Sequence, residues 1–270
     1  MYGAILGDII GQPYEFGGVK TTDFPLFGEK NTFTDDSVMT CAVADALMNL
    51  SEEADDASIE RGLVHSMQIF GQRHPLAGYG GRFRKWLYSE NPQPYNSFGN
   101  GSAMRVSSVA WLFPGSLERA LHVAELTARV THNHPEGTKA ARAATAAEWL
   151  AMQGISKEEI AAVIRKEYYP EISHCFEIRP DYSFDVTAQG TMPAAFAAFF
   201  DGTSYEDVVR LGVSLGGDSD TIGAIAGGMA EAFYGMPHAM KKACRKKLTA
   251  DLLDVLDHFD RILLERDHCI

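Results

Sequence analysis

The strongest constraint on this fold is that apolar residues recur at helical spacing along almost the whole chain, which favours amphipathic helices. An alternation typical of strands occurs only in the short segment 182–186, YSFDV, a weak candidate for a strand. Pro135 suits the first turn of a helix, Gly154 suits a helix end, and Ser156 with Glu159 resembles a capping box. The sequence therefore predicts an all-α protein, with helices over residues 35–50, 117–130, 135–154, 156–169, 192–200, 205–215 and 246–265.

Neither linkers nor repeats interrupt this pattern, so we expect one domain over residues 1–270. A net charge of −12 disfavours a stable nucleic-acid partner, because phosphate binding requires a surplus of Lys and Arg on one face. The four cysteines are scattered, which suits reduced thiols better than a disulfide framework. The apolar start lacks a basic flank, and no run is long enough to span a membrane, so we expect a cytoplasmic protein without a membrane partner.

Two acidic clusters stand at the beginnings of predicted helices. The first contains Thr34, Asp35 and Asp36, and the second, in GGDSDT, contains Asp218, Asp220 and Thr221. Helix capping explains either cluster in part, because Thr and Asp side chains accept hydrogen bonds from the first turn of a helix. One cap needs one side chain, however, and the second helix continues with GAIAGGMA, whose glycines indicate close packing against another backbone.

A hard cation is the alternative explanation for both clusters. Carboxylate and hydroxyl oxygens suit Mg²⁺, Mn²⁺ or Ca²⁺ better than zinc, and four carboxylates nearly balance the charge of two divalent ions. About 180 residues separate the clusters, so spacing alone leaves capping and metal binding both open.

Three further segments carry candidate site residues. The loop from Ser97 to Ser102 contains two glycines ahead of an apolar helix and offers N–H groups to an anion, although a tight turn explains it equally well. In THNHPEG, His132 is suited to contact a ligand. The spacing of His132 and His134 also suggests a zinc site, but no further His or Cys is placed to complete it. Glu15 follows a helix-like turn, where a solvated loop position is the simpler interpretation.

Together these segments resemble the ADP-ribosylglycohydrolase family. The resemblance rests on six motifs in the same order, GAILGDIIGQPYEF, FTDDSVMT, GYGGRFRKWL, NSFGNGSAMR, THNHPEG and GGDSDTIGAIAGG. It implies a compact, single-domain orthogonal helical bundle with two Mg²⁺ ions, or Mn²⁺, at the base of a cleft. The implied metal ligands are Thr34, Asp35, Asp36, Asp218, Asp220 and Thr221.

The same resemblance assigns the remaining site residues. It implies that the ADP-ribose moiety contacts Ser97, Phe98, Gly99, Asn100, Gly101, Ser102, Met104, Arg105 and His132, with Phe98 stacked on the adenine. Glu15 matches a mobile carboxylate of some relatives, and the general base is either Glu15 or Asp36. The implied activity is hydrolysis at C1″ of the distal ribose of ADP-ribosyl conjugates. Two alternatives are a non-catalytic ADP-ribose-binding module and a Mg²⁺-dependent phosphohydrolase that acts on the pyrophosphate.

Overall fold

The computed structural model describes residues 1–51 and 54–267, and within these ranges the chain folds into helices and loops without a β-strand. The helices are α1 (Tyr2–Gly11), a 3₁₀ helix (Gln12–Tyr14), α2 (Asp35–Met48), α3 (Asp56–Arg73), α4 (Gly81–Leu87), α5 (Gly101–Met104), α6 (Ser107–Leu112), α7 (Leu117–Arg129), α8 (Pro135–Met152), α9 (Lys157–Glu167), α10 (Cys175–Ile178), α11 (Ala188–Asp201), α12 (Tyr205–Val213), α13 (Ser219–Tyr234), α14 (His238–Arg245) and α15 (Ala250–Asp267). The predicted all-α class is confirmed.

Local sequence signals place several helix boundaries where they were predicted. Ser156 and Glu159 form the capping box of α9, and Pro135 occupies the first turn of α8. Gly154 follows the end of α8 with a φ of +74°, a conformation that glycine adopts without steric cost. Thr34 caps α2 by accepting a hydrogen bond from the N–H of Asp36.

Two local predictions were wrong. The segment 182–186 is not a strand, and the structure forms only an isolated bridge between Gly99 and Thr187 beside it. The predicted helix over 246–265 starts later, at Ala250, because a turn after α14 separates the two helices. The hydroxyl of Thr249 donates to Asp251 at the start of α15 and stabilises that boundary.

The centre of the fold is the pair α1 and α13, two helices that are more than 200 residues apart in the sequence. Their backbones touch along a row of small residues. A Cβ atom built on Gly3 would lie 2.3 Å from the carbonyl oxygen of Gly227, and one on Gly7 would lie 2.0 Å from that of Gly223. These distances are far inside van der Waals contact, so the predicted close approach of another backbone is confirmed, and α1 is that backbone.

The remaining helices surround this pair and leave one end of it accessible to long loops. Helices α8, α11 and α12 pack against α13, while α2 packs against α1, α3 and α15. The loops that precede α2, α4, α5 and α11 converge near the N-terminal end of α13. The beginnings of α2 and α13 therefore lie at the floor of a cleft.

Candidate active site

The floor of the cleft joins the two acidic motifs. The hydroxyl of Thr221 donates to Oδ2 of Asp36 over 3.3 Å, which connects the beginning of α13 to the beginning of α2. Glu15, at the end of the 3₁₀ helix, completes the cluster, with carboxylate oxygens of Glu15, Asp218 and Asp220 within 4.8 Å of one another. The fold thus brings together residues that are about 180 positions apart in the sequence.

Asp8 holds the beginning of α2 in place. This fully buried carboxylate on α1 accepts hydrogen bonds from the N–H and hydroxyl of Thr34, at 2.9 and 2.8 Å, and from the N–H and hydroxyl of Ser37. Four donors on one buried carboxylate fix the backbone turn that carries Asp35 and Asp36. Asp8 therefore organises one half of the acidic cluster from below.

The other half is oriented by Asn100. Its side-chain amide donates to Oδ2 of Asp218 over 2.7 Å and to the hydroxyl of Thr191 over 3.0 Å. Asp218 stands at the N-cap position of α13, yet its side chain makes no capping hydrogen bond. Helix capping therefore does not explain Asp218, although it does explain part of the role of Thr34.

The carboxylates of the cluster are crowded, and none of the ion pairs in the described part of the chain involves them. Burial, together with the negative charges of Asp218 and Asp8, raises the pKa of Glu15 to about 7. Burial and the neighbouring carboxylates raise the pKa of Asp35 to about 7 and hold that of Asp220 well above its ordinary value. Burial and, after it, the negative charge of Asp220 raise the pKa of Asp36 well above its ordinary value. Such a cluster is stable either protonated or with bound cations.

The residues fit a pair of hard cations. Oδ1 of Asp36 is buried and has no hydrogen-bond partner among the described residues, although carboxylate oxygens in protein interiors are normally satisfied. The carboxylates and the hydroxyl of Thr221 offer oxygen donors, the type that Mg²⁺ and Mn²⁺ prefer. The predicted ligand Thr34 does not line the cleft, because its hydroxyl donates to Asp8 and accepts from the N–H of Asp36.

Above this floor, the cleft has a volume of about 390 Å³. The segment that carries Gly99 and Gly101 forms one side, and α4 with the loop before it forms another. Two N–H groups of the glycine loop are already used, since Gly99 donates to the hydroxyl of Ser97 and Asn100 donates to the carbonyl of Val186. The N–H groups of Gly101 and Ser102 have no acceptor among the described residues.

One wall of the cleft carries basic residues. His132 is buried in the wall with its Nε2 beside the glycine loop, 3.3 Å from the position that a Cβ of Gly101 would take. The guanidinium of Arg82 lies 4.7 Å from the ring centre of Tyr95 and donates to the Tyr95 carbonyl. The guanidinium of Arg105 is buried behind His132. The cleft is therefore acidic at the floor and basic at one wall.

The predicted substrate residues divide into two groups. Ser97, Gly99, Asn100, Gly101, Met104, Arg105 and His132 all line the cleft, as do the predicted metal ligands Asp35, Asp36, Asp218, Asp220 and Thr221. Phe98 is 45% exposed at the rim and packs edge-on against His134 rather than lining the cleft. Ser102 is buried, and its hydroxyl points to the carbonyl of Gly99. Nearby, His134 caps α8, so it is not paired with His132 in a zinc site.

Sequence reasoning missed several residues of the cleft. Arg82, Tyr95, Phe184 and Val186 line it, and none of them stands out by spacing. Arg82 lies within the motif GYGGRFRKWL. It could have been predicted as a site residue, because an acidic chain that binds an anionic ligand needs a positively charged side chain near that ligand. Phe184 stacks on the exposed Phe16 at the mouth of the cleft, with ring centres 6.0 Å apart.

Comparison with known proteins identifies this arrangement. A family model described as ADP-ribosylglycohydrolase matches residues 1–268. The chain belongs to the ADP-ribosylglycohydrolase family. It is 26% identical to ADP-ribosylhydrolase ARH3 of Mus musculus, over 93% of this chain and 88% of the relative. It is 24% identical to ADP-ribosylarginine hydrolase Tri1 of Pseudomonas putida, over 97% of this chain and 79% of the relative.

A solved structure has a similar fold. A chain described as an ADP-ribosylglycohydrolase-related protein complex superimposes with a TM-score of 0.68 and 24% identity, covering 97% of this chain and 95% of that chain. This likeness shows the shared fold. The family consists of metal-dependent hydrolases that act on ADP-ribosylated substrates. In the described part of the chain, none of the helices is long and apolar enough to cross a membrane.

Proposed function

We propose that this protein is a Mg²⁺-dependent hydrolase that cleaves the glycosidic bond at C1″ of the distal ribose in ADP-ribosyl conjugates and releases ADP-ribose. The observation that carries this proposal is the unpartnered, buried Oδ1 of Asp36 in a cluster of oxygen ligands at the floor of the cleft. Thr34, Asp35, Asp36, Asp218, Asp220 and Thr221 would hold two Mg²⁺ ions, with Mn²⁺ as a substitute. Bound there, the cations supply positive charge that orients the ribose hydroxyls and acidifies water.

The polarity of the cleft gives the substrate one orientation. The diphosphate lies toward the basic wall with His132 and Arg82, and the distal ribose lies over the acidic floor. Phe98, exposed at the rim, stacks on the adenine, because exposed aromatic rings stack on bases. An acidic protein can bind an anionic ligand in this way, since the wall provides the donors that its overall charge lacks.

Glu15 is the better candidate for the general base. It is half-buried at the cleft and its carboxylate oxygens lie within 4.8 Å of those of Asp218 and Asp220, so it reaches both the floor and the solvent. Asp36 is buried, and its Oδ2 already accepts a hydrogen bond from Thr221. Asp36 therefore suits a fixed ligand, whereas Glu15 can take a proton from the attacking water and release it.

The decisive experiment measures ADP-ribose release from arginine-, serine-, phosphate-, acetyl- and nucleic-acid-linked ADP-ribose, with Mg²⁺ and with EDTA. Asp36→Asn and Asp220→Asn should abolish release while the helical circular dichroism is retained. Asp254→Asn, an exposed acid on α15, is the matched control and should keep full activity. Full activity in EDTA would contradict the proposal.

Product analysis separates the other functions. AMP as the product would indicate a phosphohydrolase, and binding of ADP-ribose without turnover of any conjugate would indicate a binding module.

We also place the protein in the cytoplasm, because Cys41, Cys175 and Cys244 are free and buried. Cys269 lies outside the described residues.

A further inference from the structure

His132 is held from behind and presents one ring nitrogen to the cleft. Its Nδ1 lies 2.7 Å from the hydroxyl oxygen of Thr131, inside the protein. Its Nε2 lies beside Gly99 and Gly101 in the cleft wall, and none of the described residues accepts a hydrogen bond from it. The side of the ring that a ligand can reach is therefore Nε2.

The hydroxyl of Thr131 has a second partner that fixes the direction of its own hydrogen bond. The guanidinium of Arg105 donates to this oxygen over 2.8 Å and to the carbonyl of Thr127 over 2.7 Å. A guanidinium can only donate, so the Thr131 oxygen acts as an acceptor toward Arg105. Its remaining hydrogen is fully buried and, among the described residues, finds an acceptor only in Nδ1 of His132.

This sequence of hydrogen bonds determines the tautomer of the imidazole. If Thr131 donates to Nδ1, that nitrogen carries a lone pair, and the hydrogen of the neutral ring sits on Nε2. A hydrogen on Nδ1 would direct two donors at one hydroxyl oxygen and leave the buried Thr131 hydrogen without an acceptor, which is costly.

The charges around the ring agree with a neutral imidazole. Burial lowers the pKa of His132 well below its ordinary value, and the positive charges of Arg105 and Arg82 lower it further. A second proton on the ring is therefore unfavourable in two independent ways, by hydrogen bonding and by charge.

We propose that Thr131 and Arg105 are positioning residues that hold His132 as the neutral tautomer protonated at Nε2, so that the cleft wall presents one fixed N–H donor to an anionic oxygen. The identity of that oxygen, in the diphosphate or a ribose of ADP-ribose, rests on the proposed function. Arg105 then acts on the ligand through Thr131 and His132.

The test combines a spectrum with a binding measurement. The protein is labelled with ¹⁵N-histidine, and its long-range ¹H–¹⁵N correlations report which ring nitrogen carries the hydrogen; a His132→Asn sample assigns the signal. We expect the Nε2–H pattern in the wild type between pH 6 and 8. Calorimetry with ADP-ribose as the probe, in the presence of Mg²⁺, gives the dissociation constant.

Three variants distinguish positioning from general stability. Thr131→Val keeps the shape of the side chain without the hydroxyl, so we expect a mixture of tautomers and about tenfold weaker ADP-ribose binding. Thr131→Ser restores the hydroxyl and should restore both the spectrum and the affinity. Thr145→Val is the matched control, because this buried threonine on α8 has a hydroxyl without a hydrogen-bond partner among the described residues.

The outcomes separate this inference from the proposed function. An Nδ1–H or a charged His132 in the wild type would overturn it, as would a Thr131→Val spectrum and affinity identical to those of the wild type. An Nε2–H signal that is lost in Thr131→Val and regained in Thr131→Ser supports it. A wild type that shows this signal but does not bind ADP-ribose would remove the proposed function and leave the tautomer assignment standing.

Discussion

The contact between α1 and α13 gives the sharpest prediction, for the substitution Gly7→Ala. A Cβ on Gly7 would lie 2.0 Å from the carbonyl oxygen of Gly223 and 2.4 Å from its carbon. Ordinary contact requires about 3.4 Å, so the two helices would have to separate by roughly 1 Å or more along a line where both sides are backbone. A flexible side chain could move aside, but here there is none to do so.

The magnitude follows from two opposing terms. Alanine gains about 1 kcal/mol over glycine in a helix interior through its propensity. Overpacking a core costs about 1–3 kcal/mol and sometimes more, and contact between two backbones belongs at the upper end. We expect a net loss of about 2 kcal/mol in the free energy of unfolding, which corresponds to a fall in Tm of roughly 4–8 °C.

The same substitution should weaken the metal site. Asp8, the next residue on α1, holds the beginning of α2, whereas Asp218 and Asp220 belong to α13. Separating α1 from α13 therefore moves the two halves of the site apart, and metal sites tolerate displacements of only about 0.5 Å. We expect Mg²⁺ to bind more weakly by about tenfold or more.

Thermal and urea unfolding, followed by circular dichroism, measure the first effect, and Mg²⁺ titration measures the second. Gly62→Ala is the matched control, because this residue lies inside α3 and its Cβ would meet Leu50 at 3.5 Å, an ordinary contact. It should leave stability unchanged or raise it by up to about 1 kcal/mol. A Gly7→Ala protein with the Tm and Mg²⁺ affinity of the parent would show that α1 and α13 can accommodate a Cβ at this contact.

Three other predictions concern the cleft and the core. Mg²⁺ at about 100 times its dissociation constant should stabilise the protein by about 2.7 kcal/mol, and Asp36→Asn should abolish that gain in a thermal shift assay, whereas Asp254→Asn should keep it. Burial raises the pKa of Glu148 from 4.5 to about 8, so the folded chain keeps a proton that the unfolded chain has released, and stability falls as pH rises between these values. Glu148→Gln should therefore gain up to about 4 kcal/mol over the parent at pH 8 and little at pH 4.5, and parallel stability profiles in urea unfolding would contradict this. Phe98→Ala should weaken ADP-ribose binding in calorimetry by about tenfold without changing the Tm, and an unchanged affinity would exclude stacking of this ring on the adenine.

Much of the fold could be predicted because its signals are local. Helical spacing of apolar residues, a capping box at Ser156 and a glycine after α8 act within a few residues, so they can be seen without the tertiary structure. The failed strand prediction has a non-local cause. The segment 182–186 alternates like a strand, but the described residues offer no strand for it to pair with, and it remains a loop along the cleft.

The helical class, the two acidic motifs at the beginnings of helices and the small residues after the second motif can all be read from the amino-acid sequence. It takes the folded chain to show that Asp36 and Thr221 meet, that Asp8 supports one motif and Asn100 the other, and that Thr131 links Arg105 to His132. The difference arises from how far apart in the sequence the interacting residues lie. Caps and periodicity depend on neighbours along the chain, whereas the site depends on the backbone contact between α1 and α13, which closes a loop of more than 200 residues.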